Sequence, residues 1–272
     1  MKEILTFPFM QHALLAGAIA SFFLSLFGVF VTLKRLSFFG DGIAHASLSG
    51  IALGVLIGVN PLWLALIVAL FFATGIYFLE KKTPIPVDAI IGLIFSGGMA
   101  IGILLMSFKR GYQPELIGYL FGNILTISKQ DLLITIFLGG LIILFLLLFQ
   151  RSLALTILDE EEASLCGIKV NLLEFLFYIA LAITIVLGLK LLGIVLVSAL
   201  LIIPPITAKF FSNSFKRVLL NSVIIGEITV ISGLILSYYL DTPSGAVIVL
   251  VGIFLFGVGG IFHLLRGKIK VR

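Results

Sequence analysis

An acidic and an imidazole side chain interrupt one apolar stretch near the start of the chain. Asp41 and His45 lie in the segment KRLSFFGDGIAHASLSGIALG, whose other residues suit the beginning of a membrane helix. If this segment is helical, the spacing of four residues places both side chains on one face. A carboxylate oxygen and a neutral imidazole nitrogen are ligands for zinc or manganese. Because two ligands are too few for tight tetrahedral binding, the pair predicts an incomplete site from which an ion can leave again.

A purely structural explanation of the same pair stays open on these two residues alone. Asp41 could cap a helix that begins at Gly42, and His45 could form a hydrogen bond with Asp41. An ionised side chain at the middle of a membrane costs about 2.5–3.5 kcal/mol on insertion scales, so each residue needs a partner, a watery cavity or a function. The pair by itself favours neither explanation.

A second acidic residue, Glu227, lies near the middle of another apolar run, in VIIGEITVISG, with no basic residue beside it. Its carboxyl group could be a third ligand for the metal, a proton-accepting group, or a protonated group hydrogen-bonded across a bundle. Because ionisable groups inside membranes are functional candidates by default, we include Glu227 with Asp41 and His45 as a predicted metal ligand.

The composition determines the class of protein that must position these residues. Of the 272 residues, 61% are hydrophobic and only 11% are charged, which is too little polar surface for a water-soluble globule. The chain is therefore predicted to be an all-α, polytopic membrane bundle forming a single domain over residues 1–272. The net charge of +5 does not indicate nucleic-acid binding, because the basic residues lie between apolar runs.

Apolar runs predict about eight or nine transmembrane helices. Leu116 to Ile127 is apolar but too short to span, which predicts an interfacial helix. Pro204 and Pro205 remove two successive amide donors, so we expect them to end or break their span. The candidate runs are Phe9–Leu33, Gly42–Val59, Leu62–Leu79, Ala89–Phe108, Leu132–Phe149, Leu172–Leu189, Leu191–Ile206, Val218–Leu240 and Ala246–Leu265.

The basic residues predict an orientation. If the loop of about residues 150–170 is cytoplasmic and nine spans are present, all but five of the 18 basic residues lie inside, as the positive-inside rule prefers. The N-terminus is then outside, and the C-terminus is cytoplasmic. The five exceptions are Lys2, Lys109, Arg110, Lys129 and Lys190.

The loop LALTILDEEEASLCGIKV is the one substantial polar segment. Thr156 or Asp159 can cap a short helix, and the acidic run from Asp159 to Glu162 suits the positive end of its dipole. Gly167 can end that helix. On these residues alone, an ordinary solvated connector and a docking helix for a soluble partner both fit.

The chain contains no phosphate-binding loop, no H-E-x-x-H motif and no cytosolic domain that could hydrolyse a nucleotide. It is therefore not predicted to be an enzyme, and an ATP-driven function would need a partner subunit. The alternative is a secondary transporter in which Glu227 and Asp41 exchange protons for a cation. An intramembrane enzyme using His45 with a nearby serine lacks a nucleophile motif.

Five ordered segments resemble the metal-ion permeases of ATP-binding-cassette importers, the zinc/manganese/iron uptake family. Their order and spacing fit from about Phe9 to Leu265, and together they are far more specific than any one of them. The segments are RLSFFGDGIAHASLSGIALG, YLFGNIL, LDEEEASLCGI, LLGIVLVSALLIIPPITA and LSYYLDTPSGAVIVL.

The resemblance implies a homodimeric permease in the plasma (inner) membrane, with two cytoplasmic ATPase subunits below and an extracytoplasmic metal-binding lipoprotein above. It implies that Asp41 and His45, which match the family's G-D-x-x-x-H stretch, line the metal path. No permanently bound cofactor is expected, and the choice among zinc, manganese and iron stays open. The resemblance also implies that the polar loop forms the helix that couples to the ATPase, through Asp159, Glu160, Glu161, Glu162, Ala163 and Gly167.

Overall fold

The computed structural model describes the backbone of residues 8–108 and 129–269. Within these ranges the chain forms ten helices and no strand, so the predicted all-α fold is confirmed. The helices are α1 (Pro8–Leu33), α2 (Phe39–Ile57), α3 (Pro61–Lys82), α4 (Val87–Ser107), α5 (Lys129–Leu158), α6 (Glu160–Leu165), α7 (Val170–Leu192), α8 (Ile194–Phe210), α9 (Phe215–Leu240) and α10 (Ser244–Ile269).

Eight of these described helices, all except α6 and α8, are long and apolar enough to cross a membrane. We call the side of the bundle on which α6 lies the α6 end. The shorter α8 begins after Gly193, whose φ of 79° turns the chain back from α7. It returns to the α6 end, where Lys209 lines a cavity with Arg151 of α5. The predicted interfacial segment, Leu116 to Ile127, lies outside the described residues.

The prediction that Pro204 and Pro205 end or break their span is wrong, because α8 continues through both prolines to Phe210. Pro205 cannot donate to the carbonyl of Leu201, its normal partner four residues earlier. That carbonyl instead faces α1 at Gly28, where an added Cβ would lie 2.0 Å from the oxygen. The missing side chain of Gly28 thus lets the proline-containing turn pack directly on another backbone.

The helices form two groups that meet along α7. In one group, α2 packs against α3 and α4; in the other, α1, α8, α9 and α10 pack together. Close approach within the first group depends on small residues, since a Cβ at Gly98 of α4 would lie 2.5 Å from the Cα of Ala46 in α2. Because α7 contacts α1, α2, α3 and α8, it joins the two groups.

Candidate metal path and its connection to the α6 helix

The first turn of α2 lies inside the bundle rather than at its edge. The helix begins at Phe39, and the residue before it, Phe38, makes no capping hydrogen bond with its side chain. Gly40 packs on Leu201 of α8. Leu201 also contacts Gly28 of α1, which lies more than one turn before the end of that helix. Asp41 therefore belongs to the first turn and is not the cap, so the capping explanation is wrong. Its negative charge still suits the positive end of the helix dipole.

Asp41 is held by a residue from the other group of helices. The hydroxyl of Ser198 in α8 donates a hydrogen bond of 2.5 Å to Oδ1 of Asp41. Ser198 lies about 18 Å along the axis from Phe210, the last residue of α8, at the helical rise of about 1.5 Å per residue. The carboxylate is therefore held about three helical turns from the α6 end of α8.

His45 follows one turn later on the same helix, where its ring is packed against a neighbour but one ring nitrogen has no hydrogen-bond partner among the described residues. Its ring meets that of Phe95 from α4 at an edge-to-face angle, with 4.7 Å between the centroids. Its Nδ1 atom is buried and has no hydrogen-bond partner in the described part of the chain. The suggested hydrogen bond between His45 and Asp41 is therefore not formed at Nδ1, and the partner of Asp41 is Ser198 instead. An imidazole nitrogen without a partner is costly to bury, and it is also free to take a ligand.

Glu227 lies elsewhere in the fold. It lines a cavity of about 340 Å³ with residues of α1 and α5, among them Phe22 and Ile143. Its Oε1 atom is buried and, within the described ranges, has no hydrogen-bond partner. The same ranges contain no group of three or more His, Cys, Asp or Glu residues that could hold one metal ion. The structure therefore brings Asp41 and His45 onto one helix face and does not bring Glu227 to them.

A buried carboxylate that the sequence analysis missed, Glu174 of α7, lies at the α6 end. Its side chain is 3% exposed and carries two ion pairs. Lys34, which follows α1, donates a hydrogen bond of 2.5 Å to Oε1, and Lys81 of α3 lies 2.6 Å from Oε2. The network thus ties α7 to the ends of α1 and α3. The clue in the sequence was one acidic residue inside an otherwise apolar run, NLLEFLF.

The same network reaches α2 and α6. Tyr178 of α7 donates a hydrogen bond to Glu80 and packs edge-to-face against Phe39, with 5.3 Å between the ring centroids. On the other side, Lys81 binds Glu160, the first residue of α6, at 3.1 Å. A continuous set of contacts therefore runs from α6 through α3 and α7 to the first turn of α2.

The short α6 helix forms as the sequence predicts. Asp159 is the capping residue, and its Oδ1 accepts a hydrogen bond of 2.9 Å from the amide of Glu162. Ala163 is fully buried, whereas Leu165 is 89% exposed at the end of the helix. Gly167 follows with a φ of 80°, which only glycine adopts without strain. The helix is thus fixed on one side and presents an apolar residue to its surroundings on the other.

Known proteins share this architecture. A model of the ABC 3 transport family matches residues 6–263. The chain is 35% identical over 257 residues to the high-affinity zinc uptake system membrane protein ZnuB of Haemophilus influenzae, covering 94% of this chain and 96% of that protein. It is 33% identical over 265 residues to the manganese transport system membrane protein MntC of Halalkalibacterium halodurans, covering 97% and 91%.

Solved structures agree with the sequence relatives. The structure of PsaBC from Streptococcus pneumoniae in complex with Fab superposes with a TM-score of 0.84 at 30% identity. The superposition covers 95% of this chain and 93% of that one. These matches confirm the resemblance carried by the five sequence segments, and the protein is a multi-pass membrane protein. The chain belongs to the ABC 3 transport family.

Proposed function

We propose that this chain is the permease subunit of an ATP-binding-cassette importer for a divalent transition metal ion, zinc or manganese. The observation that carries the proposal is the pairing inside the bundle of a carboxylate fixed at one oxygen with an imidazole whose buried Nδ1 has no partner. The zinc and manganese systems named for its relatives support the same cargo. Oxygen and nitrogen ligands suit both metals, so the pair does not choose between them.

Asp41 and His45 act as transient ligands for the passing ion. Ser198 occupies Oδ1 of Asp41 and holds the carboxylate in place, which leaves Oδ2 available to the metal. Two ligands from one chain form half of a site, and a homodimer would bring a second pair to a shared axis. Such an incomplete site binds weakly enough to release the ion, as conduction requires.

Two cytoplasmic ATPase subunits supply the energy, and an extracytoplasmic binding protein delivers the metal. The ATPase engages α6 and its flanking residues from Asp159 to Gly167, so this end of the bundle and the C-terminus are cytoplasmic. A movement of α6 is transmitted to the ion pairs of Glu174 through the ion pair between Lys81 and Glu160. Because α7 joins both groups of helices, a shift of α7 changes how α2 meets α8, where Ser198 holds Asp41.

Vesicles that contain the chain together with its co-encoded ATPase, supplied with the extracytoplasmic binding protein, test this function. We expect uptake of radioactive zinc or manganese that requires ATP on the ATPase side and continues when a protonophore abolishes the proton gradient. A non-hydrolysable ATP analogue serves as the matched control and should give no sustained uptake. Uptake that needs no ATPase and stops with the proton gradient would instead show a secondary transporter.

A further inference from the structure

A groove of about 610 Å³ opens at the α6 end, between α1, α5, α8 and α9. Its wall is mainly apolar and includes Leu33, Leu155 and Phe215. Three exposed basic residues from three different helices complete the lining: Arg151 of α5, Lys209 of α8 and Lys216 of α9. No acidic residue lines the groove among the residues that the structure describes.

The cations of this groove differ from Lys34 and Lys81, two lysines at the same end of the bundle. Lys34 and Lys81 are neutralised by carboxylates of Glu174, Glu80 and Glu160. By contrast, no ion pair within the described ranges joins the three groove cations to a carboxylate. The groove therefore combines unneutralised positive charge with an apolar wall.

This combination selects an occupant that is itself amphipathic and negatively charged. A free phosphate ion would satisfy the cations but leave the apolar wall exposed to water, which is unfavourable in proportion to its area. An anionic phospholipid satisfies both parts, because its phosphate and its acyl chains are joined in one molecule. Nearby leucines on α5, Leu144, Leu147 and Leu148, are exposed, as expected of a helix that faces lipid.

We propose that the groove binds an anionic phospholipid, with its phosphate among Arg151, Lys209 and Lys216 and an acyl chain along the apolar wall. Basic pockets between transmembrane helices on the cytoplasmic side are recognised sites for such head groups. The bound lipid connects α5, which leads into α6, with α8, which carries Ser198. The lipid site does not depend on which ion the protein carries.

The test compares the full-length protein with two triple variants in phosphatidylcholine bilayers that contain spin-labelled phosphatidylglycerol. The groove variant carries Arg151→Gln, Lys209→Gln and Lys216→Gln. The control variant carries Lys82→Gln, Lys169→Gln and Arg217→Gln, which removes the same charge at the same end of the bundle but outside the groove. Arg151→Gln alone provides a second groove variant if the triple substitution prevents folding.

We expect the wild type and the control variant to prefer phosphatidylglycerol over phosphatidylcholine. The preference should fall by about fivefold for each groove charge removed, which corresponds to the attraction typical of one basic residue near anionic lipid. Equal preferences in the groove and control variants would overturn the proposal. Competition by inorganic phosphate alone at equal concentration would show a free-anion site and would overturn the proposal. Occupation of the groove by the ATPase subunit, and not by lipid, would show a protein-docking groove and would also overturn it.

Discussion

Ser198 of α8 donates a 2.5 Å hydrogen bond to Asp41 of α2, although 157 residues separate them in the chain. The bond joins the two groups of helices at the depth where the proposed metal ligand lies. It also constrains one carboxylate oxygen only, so the same contact can orient Asp41 and leave it able to bind an ion. A change in the packing of α2 against α8 would alter that orientation.

Replacing Ser198 with alanine removes the partner of the Asp41 carboxylate. Loss of a partner that orients a metal ligand typically lowers metal affinity by about 10–100-fold, and because Asp41 is only partly buried we take the lower end. We therefore expect Ser198→Ala to lower the apparent metal affinity in uptake assays by about tenfold. Ser237→Ala is the matched control, because Ser237 is also 7% exposed but donates to the carbonyl of Thr242 instead.

A double variant separates orientation of Asp41 from a general effect on packing. Once Asp41→Asn has removed the charged acceptor, Ser198→Ala should have little further effect on the apparent metal affinity. Full additivity of the two substitutions would mean that Ser198 acts independently of Asp41.

The contact between α1 and α8 at Gly28 should tolerate no side chain. A Cβ there would lie 2.0 Å from the carbonyl oxygen of Leu201, and a backbone atom cannot move aside as a flexible side chain can. We expect Gly28→Ala to destabilise the protein by about 1–3 kcal/mol and to lower its melting temperature in detergent. Gly92→Ala in α4 is the control, since a Cβ at that position meets nothing within 4 Å. Equal melting temperatures for the two variants would contradict the observed packing.

Glu174 should be the most important acidic residue for stability at the α6 end. Glu174→Gln removes a buried charge that neutralises both Lys34 and Lys81, although Glu80 and Glu160 remain near these lysines. We expect a loss of about 3 kcal/mol in unfolding free energy, measured by denaturant titration in detergent. The exposed Glu161→Gln variant removes the same charge from α6 and should change stability little. A similar small effect for both would show that the network is not stabilising.

The cap of α6 should affect coupling to the ATPase more than overall stability. Asp159→Ala removes the acceptor for the amide of Glu162, which typically costs a helix about 1 kcal/mol. In a helix of six residues this loss is large, so ATP-driven uptake should fall several-fold while the melting temperature changes little. Asp159→Ser retains a capping oxygen and should restore most of the uptake. Failure of serine to restore it would indicate that the charge of Asp159, rather than its capping bond, is required.

Features that depend on local sequence were predictable. Apolar runs identify the membrane helices because the bilayer requires about 20 consecutive apolar residues. The cap at Asp159 and the turn at Gly167 follow from the preferences of short-range backbone geometry. The spacing of Asp41 and His45 likewise indicates a shared helix face.

Features that depend on tertiary contacts were not predictable from one sequence. The start of α2 at Phe39, rather than Gly42, depends on packing against α7 and α8. The helix through Pro205 persists because Gly28 makes room for the carbonyl that proline leaves unpaired. Ser198 and Glu174 gain their significance only from partners far away in the chain. For the same reason, the central position of Glu227 in its span could not show that its side chain lines a cavity with α1 and α5, away from Asp41 and His45.

The central claim is that Asp41 and His45 are metal ligands. It can be tested independently of the fold and of the family assignment. The variants Asp41→Ala and His45→Ala should each assemble with the ATPase and retain the melting temperature of the wild type within a few degrees. Asp88→Asn is a suitable control, because Asp88 is an exposed acidic residue in the first turn of α4.

The decisive measurement is the initial rate of ATP-driven uptake of radioactive zinc and manganese into vesicles containing the complex. The account predicts that each alanine variant loses at least about tenfold in uptake at limiting metal, as expected from removal of a ligand or its closest support. The Asp88→Asn control should transport at the wild-type rate. Wild-type uptake by the Asp41→Ala, His45→Ala double variant would contradict the assignment of this pair to the metal path.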